Sequence, residues 1–518
     1  MQLSRKCAIG FVPFCFVGAL EAGSPSTEAV AEKVRTYRSQ HEVEIVTELA
    51  DLVALPNVAT DLQAMEVNAE HLTGSLEARG FEVSLLRGEG GPPAIFGERR
   101  TQGADRTVVF YAHYDGQPVV PELWHSDPWR VLIRDGKVED GAAEVPMEDL
   151  SPPLDPEWRL YGRSASDDKV SIVALLSAVD ALDAVGIRPT INIKLILDGE
   201  EERSSPHIAE ILSANRELLE ADLWVFCDGP MHQTRIPQVV FGVRGVTSVH
   251  MTAYGPTVAL HSGHYGNWAP DPGMQLVTLI STMRDPDGNL LIDGINELVR
   301  PLGDTARAAI AAAPTVEAQL KEDLALGWTE GQPIPLAERI SRPAINLLGF
   351  SVGAVGDKAK NAISPEARAV VGFRLVPDVT PDAIREATEA HIRARGFHIV
   401  DTEPDEETLR AHERVLYLKW KMGYSALWTD MDLPISRAVA RIVDDAVEGP
   451  IVLTPGMGGS LPLVVFSEIL GEPPIIVVPI ANHDNNQHAP NENLRLGNLW
   501  QGIEIYAALM AGLGGSGS

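Results

Sequence analysis

The spacing of apolar and polar residues predicts alternating helices and strands in the first half of the chain. Apolar residues recur at helical intervals in His41–Leu55, Leu62–Arg79, Val170–Val185 and Ser205–Leu219. Short runs rich in β-branched and aromatic residues predict strands at Phe81–Leu86, Pro93–Phe96, Thr107–Ala112, Ile191–Leu197 and Asp222–Phe226. This alternation predicts an α/β domain with helices around a mixed central β-sheet.

From about Val246 the pattern changes to strand, helix, two strands, helix and strand, which is typical of an α+β, ferredoxin-like domain. The predicted elements are strand 246–255, helix 275–283, strands 345–353 and 367–378, helix 381–395 and strand 397–400. Residues 287–342 are predicted to be an insertion of helices and loops. We expect a large α/β domain in two segments, 25–245 and 411–518, interrupted by a smaller domain at 246–410.

Composition narrows the partners that such a protein is expected to have. The 518 residues carry a net charge of −30, with 45% apolar and 22% charged residues. These proportions are ordinary for a soluble globular protein. A surface this acidic repels nucleic acid and anionic membranes, so we expect neither as a partner.

The N-terminus has the layout of a secretory signal peptide. Arg5 and Lys6 precede an apolar run, Cys7–Leu20, with a candidate cleavage site after Ala19. The run is too short to span a bilayer, and no other stretch is long and apolar enough to do so. We expect residues 1–19 to direct secretion or periplasmic export, with a cytoplasmic location if this leader is not cleaved. The alternative is a buried N-terminal helix.

Acidic and histidine side chains follow the predicted strands. They are His113 and Asp115 after 107–112, Glu200, Glu201 and Glu202 after 191–197, and Asp228 after 222–226, with Asp167 and Asp168 before a helix. In open α/β sheets, such strand ends meet at one edge. Clustered carboxylates repel one another unless cations compensate, and a histidine among carboxylates suits zinc, or less specifically manganese or cobalt. Two ions could share Asp167, while an unligated carboxylate accepts a proton from their water.

Five motifs occur in a fixed order along the chain: AHYDGQP, YGRSASDDK, DGEEERSS, CDG and NNQHAPNENL. With them, the chain from about residue 41 onwards resembles the co-catalytic di-zinc exopeptidases. That family includes carnosinases, succinyl-diaminopimelate desuccinylase, acetylornithine deacetylase and aminoacylase, and the resemblance is greatest to its carnosinase-like dipeptidase branch. The resemblance implies a catalytic large domain and an inserted lid domain through which the protein forms a homodimer.

The resemblance also implies roles for particular residues. Two zinc ions per subunit, with manganese or cobalt as substitutes, would share Asp167, whose bond to Asp168 would be cis. Glu201 would be the general base, and Asp115 would orient a histidine ligand. The remaining metal ligands would be His113 and Asp228 for one ion and Glu202 and His488 for the other.

Further candidate residues lie in or near the predicted lid. By resemblance, His261 in LHSGHYG would stabilise the oxyanion, often from the partner subunit; the alternative is a structural loop histidine. Arg374 in FRLVPD would pair with a substrate carboxylate, unless it forms a surface salt bridge. The other candidate substrate-binding residues are Gly459 and Ser460 in GMGGSLP, and Asn361.

The implied function is metal-dependent hydrolysis of amide bonds in dipeptides or short peptides with a free C-terminal carboxylate. A metal-bridging hydroxide would attack the carbonyl. An N-acyl- or N-carbamoyl-amino acid amidohydrolase with the same site is the alternative, and a binding protein that has lost its metals is a third. The sequence departs from the family pattern at Ser164, Val170, Arg203 and Ser204, which affects the expected pocket shape rather than the ligands.

Overall fold

The computed structural model of the protein describes residues 25–331 and 333–515. The predicted signal peptide, residues 1–19, lies outside the described residues. Within the described part, none of the helices has the length and apolar character needed to cross a membrane.

The first segment contains most of the strands of the large domain. Its helices are α1 (Thr27–Gln40), α2 (Glu42–Val53), α3 (Leu62–Glu77), α4 (Lys169–Ala184) and α5 (Ile208–Ala214). Its strands are β1 (Glu82–Leu86), β2 (Ala94–Arg99), β3 (Thr107–His113), β4 (Leu132–Arg134), β5 (Glu144–Val145), β6 (Arg159–Tyr161), β7 (Asn192–Asp198), β8 (Leu223–Phe226), β9 (Gln238–Val240) and β10 (Gly242–Val243). The pattern did not predict α1.

The helix predicted over Ser205–Leu219 is shorter than expected. Ser204 and Ser205 have φ angles of 68° and 42°, in the left-handed region, so α5 begins only at Ile208. It ends at Ala214, and turns replace the rest of the predicted helix.

The inserted domain, called the lid domain below, runs from Gly245 to Tyr424. Its strands are β11 (Gly245–Tyr254), β12 (Leu260–His261), β13 (Ala344–Ser351), β14 (Ala362–Ile363), β15 (Glu366–Leu375), β16 (His398–Val400) and β17 (Val415–Tyr424). Its helices are α6 (Ser262–Tyr265), α7 (Pro272–Ser281), α8 (Asp304–Ala312), α9 (Glu317–Asp323), α10 (Leu336–Ile340), α11 (Pro381–Ala394) and α12 (Glu406–Ala411).

The five-stranded sheet of the lid domain has the order β13–β15–β11–β17–β16. The first four strands pair antiparallel, as in a ferredoxin-like fold. The fourth ferredoxin strand is β17, whereas the strand predicted for that place is the edge strand β16, which pairs parallel to β17. The lid domain therefore extends past the boundary predicted at residue 410.

The last segment returns to the large domain as β18 (Leu427–Trp428), α13 (Pro434–Ala446), β19 (Val452–Thr454), α14 (Leu463–Leu470), β20 (Ile475–Val477), β21 (Asn493–Arg495) and α15 (Leu496–Gly512). The eight-stranded central sheet has the order β1–β2–β7–β3–β8–β20–β9–β19. Its inner strands β7, β3, β8 and β20 are parallel, and β1, β2 and β9 introduce antiparallel pairs. The sheet is mixed, as predicted.

Two apolar layers hold the central sheet in place. On one face, α4 and α15 pack against each other and are buried along most of their length. On the other face, α5 and α14 cover an aromatic cluster in which the rings of Tyr111 and Phe226 stack 4.3 Å apart. Burial on both faces fixes the ends of the parallel strands relative to one another.

The insertion segment, residues 287–342, bridges the two domains. Its helix α8 packs against β19, and Ala306 and Ala309 contact the core of the large domain. Thr305 Oγ1 donates a hydrogen bond of 2.9 Å to Asp432 Oδ1 in the large domain. The segment therefore belongs to the lid domain by chain order but is docked on its neighbour.

Candidate metal centre and active site

The candidate residues meet at the carboxyl edge of the parallel strands. The strand β3 ends at His113, a short 3-10 turn after β7 carries Glu201 and Glu202, and Asp228 follows β8. Because β7, β3 and β8 are adjacent, their ends lie side by side. The loop before α4 adds Asp167 to the same place.

Two clusters of possible metal ligands share one aspartate. In the first, His113 Nε2 lies 3.0 Å from Asp167 Oδ1 and 4.0 Å from Asp228 Oδ1. In the second, His488 Nε2 lies 3.0 Å from both Asp167 Oδ2 and Glu202 Oε2. Within each cluster, the candidate ligand atoms all lie within 4.8 Å of one another. The structure thus brings together all five predicted ligands, and Asp167 presents one oxygen to each cluster.

Asp115 supports both the histidine and the glutamate turn. Its Oδ1 lies 3.3 Å from Nδ1 of His113, on the opposite side of the ring from the cluster. Its two carboxylate oxygens also accept hydrogen bonds from the backbone N–H groups of Glu201, at 3.0 Å, and Glu202, at 3.2 Å. Asp115 is therefore placed to orient His113, as the resemblance implied, and also to hold the turn that carries the glutamates.

Glu492 is a site residue that the sequence reasoning did not single out. Its buried carboxylate accepts backbone N–H bonds from Ser164 at 2.9 Å and from Ser166 and Asp167 at 3.0 Å. It also forms an ion pair with Arg163 at 2.7 Å. The sequence feature that could have identified Glu492 is its position as the acidic residue of the NNQHAPNENL motif. Glu492 fixes the backbone that presents Asp167.

The departures from the family pattern are accommodated locally. Ser164 has a φ of 63°, where glycine is favoured, and its Oγ accepts a hydrogen bond of 3.0 Å from Asn57 Nδ2. Val170 is fully buried within α4. The peptide bond between Asp167 and Asp168 is cis, as the resemblance implied.

The buried carboxylates of this site repel one another unless cations compensate their charge. Burial, reinforced by the charge of Asp167, raises the pKa of Asp228 to about 7. Burial also raises the pKa of Glu201 well above its usual value, and Asp228 and Asp167 add to that rise. For Asp167, burial is outweighed by hydrogen bonds with His113 and His488, which hold its pKa below the usual range. Carboxylates gathered at this density, with two histidines, form a donor set that fits two divalent metal ions.

A cavity of about 610 Å³ connects the clusters to two of the predicted substrate-binding residues, Gly459 and Ser460. Asp167, Glu201 and Asp228 line one part of it, and Gly459 and Ser460 line another. Arg374 does not line the cavity itself, but its Nη1 donates a hydrogen bond of 2.6 Å to Ser460 Oγ.

His261 and Asn361 are not brought to this cavity. Among the described residues, neither lines it, and both are exposed on the lid domain. They lie next to each other instead, because β12 pairs with β14 and Ser262 N donates a hydrogen bond of 3.0 Å to the Asn361 carbonyl oxygen. Within a single chain, these two predicted residues form a separate group.

The comparison with protein families identifies this arrangement. Residues 109–512, from β3 to α15, match the model of Peptidase family M20/M25/M40. The chain belongs to this family. The matched range contains every candidate site residue named above, so the family M20 assignment confirms the predicted resemblance.

The similarity between this chain and other members of family M20 extends over nearly the whole chain. Cys-Gly metallodipeptidase dug1 of Schizosaccharomyces pombe is 25% identical over 482 residues, which cover 89% of this chain and 94% of that protein. The metallo-carboxypeptidase Sso-CP2 of Sulfolobus solfataricus superposes with a TM-score of 0.70 at 25% identity, covering 91% and 99% of the two chains. Human carnosine dipeptidase 1 gives 0.68 at 21% identity, covering 95% and 99%. These structures confirm the predicted fold class.

Proposed function

We propose that this M20 peptidase is a dipeptidase that hydrolyses dipeptides or short peptides with a free C-terminal carboxylate, using two metal ions. The observation that carries the proposal is one cavity lined by members of both ligand clusters, by Glu201 and by Ser460, to which Arg374 is hydrogen-bonded. The names of the relatives, a Cys-Gly metallodipeptidase and a carnosine dipeptidase, agree with such a substrate.

In this proposal, one ion is held by His113, Asp167 and Asp228. The other is held by Asp167, Glu202 and His488. Zinc is the proposed metal because histidine and carboxylate ligands suit it, with manganese or cobalt as substitutes. Bound ions would polarise the scissile carbonyl and acidify a water molecule.

The proton transfer is assigned to Glu201. This glutamate lines the cavity but belongs to neither ligand cluster, so its carboxylate is free to act. A carboxylate in this position can accept a proton from the attacking water and pass it to the leaving amine.

The substrate carboxylate is assigned to Arg374 and Ser460. A guanidinium and a hydroxyl that already contact each other offer several donors to a carboxylate at that end of the cavity. Gly459, which has no side chain, leaves room for the substrate backbone there.

We propose that His261 and Asn361 act in the active site of the partner subunit of a homodimer. Both residues are exposed and neither lines the cavity of its own chain, which supports this, as does an apolar surface on the lid domain. The edge strand β13 exposes Leu347 by 53% and Leu348 by 65%. An edge strand with exposed apolar side chains favours association with a second chain.

Export remains part of the proposal. Residues 1–19 are proposed to be a cleaved leader that sends the protein to the periplasm or outside the cell. N-terminal sequencing of the protein recovered outside the cytoplasm is expected to begin at Leu20. An intact Met1 on cytoplasmic protein would contradict export.

The function is tested by assaying enzyme loaded with zinc, manganese or cobalt against two substrate panels. One panel contains unmodified dipeptides, and the other contains N-acetyl- and N-carbamoyl-amino acids. Turnover of dipeptides is expected. Turnover of the second panel alone would favour the amidohydrolase, and less than one equivalent of bound metal with no activity would favour a binding protein.

A further inference from the structure

The insertion segment supplies an apolar wall to the active-site cavity. The wall residues have apolar side chains and line the same cavity as Asp167 and Glu201; they are Ile310, Ala313, Pro314, Val316, Leu336, Ala337 and Ile340, with Glu317 and Ser341 as the polar members of the same lining. The large domain contributes Trp428, Leu453 and Met457 to the lining of the same cavity. A dipeptide bound between the ligand clusters and Ser460 would therefore lie against apolar side chains from both the insertion segment and the large domain.

The wall lies next to the proposed carboxylate anchor. A methyl group added to Gly458 would come within 3.4 Å of Ile340 Cδ1, so Ile340 borders the backbone immediately before Gly459 and Ser460. The residue of the substrate whose carboxylate is held at Ser460 is its C-terminal residue. Its side chain is consequently the one that lies beside Ile340.

Both ends of the wall are fixed by contacts with the large domain. At its start, α8 packs against β19, and Thr305 is hydrogen-bonded to Asp432. At its end, the wall is bound by the buried Arg244, whose Nη2 donates a hydrogen bond of 2.8 Å to the carbonyl oxygen of Arg342. The backbone N–H of Arg244 also donates a hydrogen bond of 3.2 Å to the carbonyl oxygen of Gly459. A surface held in this way can select a side chain by shape.

We infer that the preferred substrates carry a large apolar C-terminal residue, such as leucine or phenylalanine, which packs against the wall. This inference rests on the proposed dipeptidase function and adds its substrate class. Burying a leucine side chain there, instead of leaving the space to water, is expected to raise kcat/KM by about 10–100-fold over glycine.

The first experiment compares Ala-Gly, Ala-Ala, Ala-Leu, Ala-Phe and Leu-Ala with the metal-loaded wild-type enzyme. We expect kcat/KM for Ala-Leu to exceed that for Ala-Gly by about 10–100-fold, and to exceed that for Leu-Ala. Equal values for Ala-Leu and Ala-Gly, or a preference for Leu-Ala, would overturn the inference and leave the dipeptidase function standing. No turnover of any of these dipeptides would overturn both.

The second experiment locates the preference on the wall. Ile340→Ala is expected to lower the ratio of kcat/KM for Ala-Leu to that for Ala-Gly by about tenfold. Ala337→Phe adds bulk at an exposed position and is expected to lower kcat/KM for Ala-Phe at least about tenfold more than for Ala-Ala.

The matched control is Leu324→Ala, on the same segment but outside this cavity and 61% exposed. It is expected to leave the ratio unchanged. Wild-type ratios in both Ile340→Ala and Ala337→Phe, with normal metal content, would overturn the placement of the C-terminal side chain on this wall.

Discussion

The adjacent residues Glu201 and Glu202 occupy different environments although the backbone of both is bound by Asp115. Asp115 binds the backbone of both Glu201 and Glu202, and the turn between them sends their side chains apart. Glu202 joins His488, where Gln117 Nε2 also donates to its carboxylate at 2.8 Å. Glu201 stays outside both clusters. One residue along the backbone therefore separates the candidate ligand Glu202 from the proposed base Glu201.

Glu201→Gln is expected to lower kcat by about 10²–10⁴-fold while metal content stays near that of the wild type. Glu202→Gln removes a ligand oxygen and is expected to lower metal content. Elemental analysis beside steady-state kinetics checks both variants. Loss of metal from Glu201→Gln alone would mean that the two roles are exchanged.

Glu492→Gln is expected to lower the free energy of unfolding by about 3–5 kcal/mol, because it breaks a buried ion pair with Arg163. It also replaces an acceptor of backbone N–H bonds with an amide. Urea unfolding of the metal-loaded protein measures the change. Glu468→Gln, on an exposed position of α14, is the control and is expected to stay within about 0.5 kcal/mol of wild type.

The metal-free protein is expected to lose stability as the pH rises. Without metal, burial and Asp167 raise the pKa of Asp228 to about 7, and hydrogen bonds with Asp167 and Glu202 raise that of His488 to about 10. Both groups then bind protons more tightly in the folded than in the unfolded state, so the free energy of unfolding falls through this range. Calorimetry after chelation is expected to show Tm falling from about pH 5 to about pH 8. A rising Tm would contradict this sign.

At the scale of elements, the insertion segment depends on a small contact between α8 and the core. Ala309 packs against that core, whereas its neighbour Ala308 is exposed. Ala309→Asp places a charge in this contact and is expected to increase the rate of limited proteolysis within residues 287–342 at least about tenfold. Ala308→Asp, with the same change in charge, is expected to leave the rate near that of the wild type.

Some elements were predictable from local pattern and others were not. The helix α4 and the strands β3, β7 and β8 were predicted because continuous apolar runs mark elements buried on both sides. The strand β17 was missed although Leu416 and Leu418 are buried and Lys419 and Lys421 are exposed, which is partly the alternation of a half-buried strand. The apolar wall could not be predicted, because it depends on where a helix of one domain docks on another.

In the candidate site, too, some residues were predictable from the sequence and others were not. Four of the five candidate ligands, His113, Asp167, Glu202 and Asp228, were predictable because they follow predicted strands or precede a predicted helix, whereas His488 was assigned only through the family resemblance. Glu492 was not predicted, because its role arises from backbone N–H groups that only the folded loop before α4 directs towards it. The location of His261 depends on how the lid domain is oriented, which no local pattern specifies.

At the scale of the whole molecule, the proposed homodimer predicts complementation between two inactive variants. His261→Ala is expected to reduce kcat, because the proposed oxyanion contact to the partner is lost. In a mixed dimer with Glu201→Gln, one active site has both its own Glu201 and the partner's His261. Random exchange of subunits is therefore expected to restore up to about a quarter of wild-type activity. No recovery after verified exchange would place His261 in its own subunit or outside catalysis.

The late position of His488 in the chain has a consequence for biosynthesis. His488 and Glu492 both come after the lid domain in the chain, and α15, which follows them directly, packs against α4 in the core. A nascent chain, or one shortened by proteolysis before His488, lacks a ligand, the support of Asp167 and a central helix at the same time. Under the proposed two-metal site, full loading would therefore require a chain that extends through His488 and α15, and metal content would report whether synthesis and folding have been completed.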